Sequence, residues 1–80
     1  MRQPHEASGA LVTAAGTAMF GERWKDAFAQ AIGVARMTVH RWATGERSPG
    51  PEHWEAIGRL LDAHRDRIKD VRRHVSSRRP

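Results

Sequence analysis

Apolar residues recur at helical spacing in four blocks, and glycine or proline separates each block from the next. In the first block Leu11, Val12, Ala15, Ala18 and Met19 fall at i, i+1, i+4, i+7 and i+8, one stripe of a helix over about residues 7–19. Gly9 and Gly16 interrupt it at roughly 1 kcal/mol each relative to alanine. They either weaken the helix or mark a close crossing with another. Phe20 and Gly21 end it. Residues 1–6 show no periodicity and contain Pro4, which reads as a flexible arm.

The second helix starts just after Gly21, because Glu22 and Asp26 complement the amino-terminal end of a helix dipole. It runs to Ile32, with Trp24, Phe28, Ala31 and Ile32 as apolar positions, and Gly33 stops it. A third helix begins two or three residues later and covers about residues 35–43. So short a gap forces the two to meet at a steep angle. The segment from Thr44 to Pro51 is dense in turn formers, and Pro51 suits the first position of a fourth helix.

That fourth helix is predicted to run from Pro51 to Val75, about 25 residues or ~37 Å at 1.5 Å per residue. Trp54, Ile57, Leu61, His64, Ile68, Val71 and Val75 alternate in spacing between three and four, which is a heptad seam. The first half of the seam, helped by Leu60, packs on the other helices. The second half finds little left to cover it. His64, Ile68, Val71 and Val75 therefore form a dimer seam, or the inner face of a helix that breaks near Arg65 and bends back. His64 itself reads as a satisfied, half-buried histidine. The expected fold is all-α: a compact helix-turn-helix domain of four helices, the last one long and extended. Its divisions are an arm over 1–6, the domain over 7–62, a continuation of the last helix over 63–76, and a basic disordered tail over 77–80.

Within this plan Phe28, Ala29, Ile32, Gly33, Val34, Val39 and Trp42 interlock. Phe28, Ile32 and Val34 flank the turn from one side, and Val39 and Trp42 answer from the third helix at i and i+3. Ala29 sits where only a small side chain lets the helices cross closely, and Gly33 sits at the turn. Through Phe28-Ala29-Gln30-Ala31-Ile32-Gly33-Val34, Arg36-Met37-Thr38-Val39-His40-Arg41-Trp42 and Gly45-Glu46-Arg47, the sequence resembles the Cro/C1-type (XRE-like) helix-turn-helix family of small phage and bacterial regulators. The resemblance covers roughly residues 10–62. It implies a helical domain whose third helix lies in the DNA major groove. Ala35 departs from the serine frequent at the start of that helix, and so forgoes a cap worth ~0.5 to 2 kcal/mol. The basic extension from Arg65 lies outside the family core.

At 100° per residue, Ala35, Val39 and Trp42 share the inward face of the third helix, and Arg36, Met37, His40 and Arg41 point outward. Arg36 and Arg41 are the candidates for base contact, since a guanidinium can bond guanine O6 and N7 together. Met37 could touch a thymine methyl, and His40 could donate to a base edge or a phosphate. Lys25, near the start of the second helix, together with Thr38, Thr44 and Arg47, are candidate phosphate contacts. Trp24 and Trp54 lie on apolar helical faces and are read as core or core-rim packing rather than stacking platforms.

Composition then narrows the chemistry. A chain of 80 residues buries only roughly 60% of the surface its unfolded form exposes, too little for a large internal catalytic cavity. There is no cysteine, which removes disulfides and thiolate metal sites. The five histidines form no ligand pair at metal spacing, so no metal, cofactor or small-molecule ligand is expected, and no enzymatic activity. No stretch reaches the ~20 apolar residues of a membrane span, and a cytoplasmic location is the expectation. Residues 1–64 carry seven basic and seven acidic side chains, so the whole net charge of +5 sits in residues 65–80. That asymmetry points to a polyanion, most simply double-stranded DNA. The function expected is a sequence-specific DNA-binding transcriptional regulator, a repressor or autoregulator that binds an inverted repeat as a homodimer. Two alternatives remain open: a protein-interaction module such as an antitoxin, and a non-specific nucleic-acid binder that uses the Arg-rich carboxy-terminal segment.

Overall fold

A computed structural model describes residues 4–78, with side chains described from Ser8 to Arg78. The fold is all-α, with α1 over Pro4–Phe20, α2 over Trp24–Ile32, α3 over Arg36–Thr44 and α4 over Pro51–Ser77. Two terminal expectations are corrected. Pro4 opens α1 instead of lying in a flexible arm, since proline at a first turn gives up no helical hydrogen bond. At the other end Ser77, expected in the disordered tail, is helical, and its hydroxyl donates to the His74 carbonyl at 2.8 Å. Residues 1–3, 79 and 80 of the expected arm and tail lie outside the described residues.

The core is built from Val12, Ala15, Trp24, Phe28, Ala29, Val39, Trp42 and Ile57, with Met19, Phe20, Ile32, Val34 and Trp54 packed at its edge. Helix α1 lies across α2 and α3 and also touches α4. Its buried stripe is not the one read from the apolar residues alone: Leu11 is 59% exposed and Ala18 is exposed, while Gly9 and Gly16 are buried beside Val12 and Ala15. The glycines belong to the packing face. A Cβ on Gly9 would stand 2.7 Å from the Ala43 carbonyl oxygen, and one on Gly16 would fall inside the Trp24 ring, 1.9 Å from Cε3. Of the two meanings open for these glycines, the close crossing is the one realised.

Helix α2 begins at Trp24, later than the position of Glu22 suggested, so Glu22 lies in the preceding turn and Asp26 alone is acidic in the first turn. Ala31, expected on the apolar face, is exposed. Gly33 closes α2 at φ 87°, ψ 34°, and its N–H donates to the Ala29 carbonyl at 2.8 Å. This left-handed conformation is the one glycine adopts without a Cβ penalty, and it turns the chain abruptly into α3. Gly45 does the same at the far end of α3, at φ 82°.

Helix α4 runs without a break past Arg65 through all 27 of its residues, so the bent-back arrangement does not occur. Proline at its first position and Gly50 as its cap agree with the turn chemistry of the preceding loop. Ile57 is buried, and His64 is half-buried with its ring edge-on to Phe20, centroids 5.5 Å apart. Beyond this point the helix leaves the domain. Ile68, Val71 and Val75 are each more than half exposed, and the molecule is drawn out to 53 × 28 × 23 Å.

Candidate nucleic-acid interface

Helix α3 is anchored from one side. Val39 is fully buried and Trp42 nearly so, with the indole against the His53 ring at a centroid distance of 5.1 Å. On the opposite side of the turn Phe28 is fully buried and stacks edge-on with Trp24 at 5.4 Å. Ala29 is buried and Ile32 and Val34 pack on the core. Of the seven residues read as the interlocking motif, Phe28, Ala29, Val39 and Trp42 are buried in one core, Ile32 and Val34 pack against it, and Gly33 is exposed and closes α2 through its backbone. Ala35 is corrected: it is exposed, with extended backbone at φ −70°, ψ 149°, because it caps α3 rather than lying within it. Its methyl makes no side-chain cap, in keeping with the missing serine.

The anchoring leaves Arg36, Met37 and Arg41 exposed and His40 half-buried along one outer strip. Met37 is 57% exposed and gives the strip its apolar member. Arg36 is oriented from α2, where its Nε lies 2.8 Å from Asp26 Oδ1. That contact engages Nε and does not consume the two Nη groups that a bidentate contact to a guanine edge requires. Both side chains are more than half exposed, so the ion pair contributes little stability and its effect is on direction. Arg41 is held more loosely, with Nε 3.8 Å from Glu46 Oε2.

The candidate phosphate ligands divide. Lys25 is half-buried beside the strip, with Nζ 3.1 Å from His40 Nδ1. An ammonium has no lone pair, so this bond requires Nδ1 to accept and leaves the ring proton on Nε2. His40 is thereby set as a donor through Nε2. Arg47 is exposed at the carboxy-terminal end of α3, where its backbone N–H donates to the Arg41 carbonyl at 3.1 Å. Thr38 is half-buried. Thr44 is exposed, but its hydroxyl donates to the Arg41 carbonyl at 3.2 Å, and it would have to turn away to reach a phosphate.

Three participants escape a reading of the sequence alone. Asp26 fits the start of α2 by its charge, yet it also orients Arg36 from across the turn. Glu46 faces Arg41 across the Gly45 turn. Arg23, at the cap of α2, lines an open polar cleft with Glu22, Lys25, Asp26 and Arg36. The available signal for Arg23 is a second cation two residues before Lys25, at the end of a helix where free amides already favour an anion.

Among the described residues no helix is long and apolar enough to cross a membrane, and no group of three histidine or acidic side chains could hold a metal ion. Comparison of the chain with protein-family models, with curated proteins and with solved structures gave no match.

Proposed function

We propose that this chain is a sequence-specific double-stranded-DNA-binding transcriptional regulator acting in the cytoplasm, with α3 as the helix that enters the major groove. The geometry of α3 carries the reading: its inner face is fixed by Val39 and Trp42, while Arg36, Met37, His40 and Arg41 stand on the outside with Lys25 beside them. Arg36 and Arg41 would read guanine edges, Met37 a thymine methyl, and His40 Nε2 a base or phosphate acceptor. Lys25, Arg47 and Arg23 would neutralise phosphates on either side and set the register of the helix on the duplex. The resemblance to Cro/C1-type sequences supports the same assignment. No catalytic role is assigned to any residue.

Repression by occlusion is the mode proposed. Two copies on an inverted repeat would place their recognition helices about one DNA turn, ~34 Å, apart and double the base pairs read. The two copies would sit on the DNA as a homodimer, one on each half-site. Selection of bound sequences from a random duplex pool tests this directly. The expected result is an enriched motif of two inverted half-sites. A pool that gains no motif over its starting composition, at a salt concentration where binding persists, would refute sequence-specific recognition.

A further inference from the structure

The carboxy-terminal half of α4 carries a charge pattern that the DNA-reading face does not need. Leu61, Ile68, Val71 and Val75 form one exposed apolar strip that starts at the edge of the domain and continues along α4 away from it. At its inner end the strip opens into an apolar groove floored by Ala18 and Met19 of α1. At 100° per residue, the charged residues within about 90° of the strip's centre are Arg65, Arg67, Arg72 and Arg78. The carboxylates Asp62, Asp66 and Asp70 lie on the far side, four residues apart, together with Arg73, while Lys69 lines the groove beside Arg65 and Ile68. Arg65 contacts Asp62 and Asp66 at 3.6 Å, whereas Arg67 and Arg72 have no ion-pair partner among the described residues.

This arrangement distinguishes between occupants. The heptad seam by itself suits a second copy of the chain. In a two-stranded coiled coil, however, the residues flanking the seam meet their counterparts across the interface, and here arginine would meet arginine in either orientation of the strands. Like charges in those positions oppose pairing. A polyanion such as DNA would satisfy the arginines and leave the apolar strip in water. An amphipathic helix with an apolar stripe bordered by glutamate or aspartate satisfies both at once.

We propose that residues 61–78 dock an acidic amphipathic helix of a protein partner, its apolar stripe on Leu61, Ile68, Val71 and Val75 and its carboxylates on Arg65, Arg67 and Arg72. The surface is separate from α3, so a partner held there would ride on the DNA-bound chain.

The test uses the full chain and two synthetic peptides of about three heptads, with leucine and isoleucine in the seam and either glutamate or lysine flanking it. Titration calorimetry should show the glutamate peptide binding at least about tenfold more tightly than the lysine peptide, a difference that shrinks as salt rises. Ile68→Asp, an exposed substitution, should abolish binding with the helical content of the chain unchanged. The double variant Arg67→Glu with Arg72→Glu should transfer the preference to the lysine peptide, which no loss of folding could do. Three results would overturn the proposal. One is a free chain that sediments as a dimer at micromolar concentration and becomes monomeric on Ile68→Asp, which gives the strip to a second copy. Another is equal binding of the two peptides. The third is binding of the glutamate peptide that survives Ile68→Asp, which would leave a charge-only site of the kind a nucleic acid uses.

Discussion

The ammonium of Lys25 on α2 lies 3.1 Å from the Nδ1 of His40 on α3. This bond crosses the turn and couples a candidate phosphate ligand to the candidate reading helix. Each partner limits the other: Lys25 fixes the tautomer of His40, and His40 holds the ammonium beside α3.

Lys25→Ala should therefore weaken binding to operator and random duplex DNA alike, and the slope of log affinity against log salt should become shallower by about one. Fluorescence anisotropy over a salt series measures both. An unchanged slope would remove Lys25 from the phosphate contacts.

Arg41→Ala should cost ~1 to 3 kcal/mol of discrimination at one base pair while leaving binding to random DNA nearly intact. Asp26→Asn should have a different signature. It releases the Arg36 guanidinium from its 2.8 Å contact, so specificity should fall at the base pair read by Arg36 while thermal stability shifts by no more than about 0.5 kcal/mol, as expected of an exposed ion pair. Affinity measured across single-base variants of the selected motif separates the two residues. If Asp26→Asn changes no base preference, the carboxylate does not orient Arg36 for reading.

Three glycines give a graded stability series. A Cβ added to Gly58, on an exposed face of α4, would meet nothing within 4 Å, so Gly58→Ala should stabilise the protein by ~0.5 to 1 kcal/mol through helix propensity alone. Gly16→Ala gains the same propensity but drives a methyl into the Trp24 ring, and overpacking of ~1 to 3 kcal/mol should outweigh it. Gly9→Ala meets the Trp42 and Ala43 carbonyl oxygens at 2.9 and 2.7 Å, and backbone gives way less readily than a side chain. Urea unfolding of the three variants should order them Gly58→Ala above wild type, with both others below. A stabilising Gly16→Ala would contradict the close packing of Trp24 on α1.

Trp42→Ala should cost ~3 to 5 kcal/mol, because it empties the site between α3 and His53 that holds the recognition helix in place. In a domain of marginal stability that loss should abolish the cooperative thermal transition seen by circular dichroism. A variant that still melts cooperatively near the wild-type temperature would show that α3 is anchored elsewhere.

The local grammar of the chain was enough for the four helices, the Gly33 and Gly45 turns, the Pro51 start, and the assignment of Phe28, Val39 and Trp42 to the core. Each depends on neighbours within a turn or two of the same segment: helical period, a positive φ, a proline at a first turn. Three further features rest on residues far apart in sequence. The buried face of α1 is chosen by where a tryptophan ring and two carbonyls approach, so Gly9 and Gly16 are inside and Leu11 is outside, against what hydrophobicity along the helix suggested. The direction of Arg36 is set by Asp26, ten residues away and on another helix. The apolar strip of α4 stays uncovered because the helix continues straight beyond the domain, and only that placement separates residues that pack within the chain from residues left for a partner. Periodicity specifies that a face is apolar; which surface meets it is decided by shape and charge complementarity between distant segments.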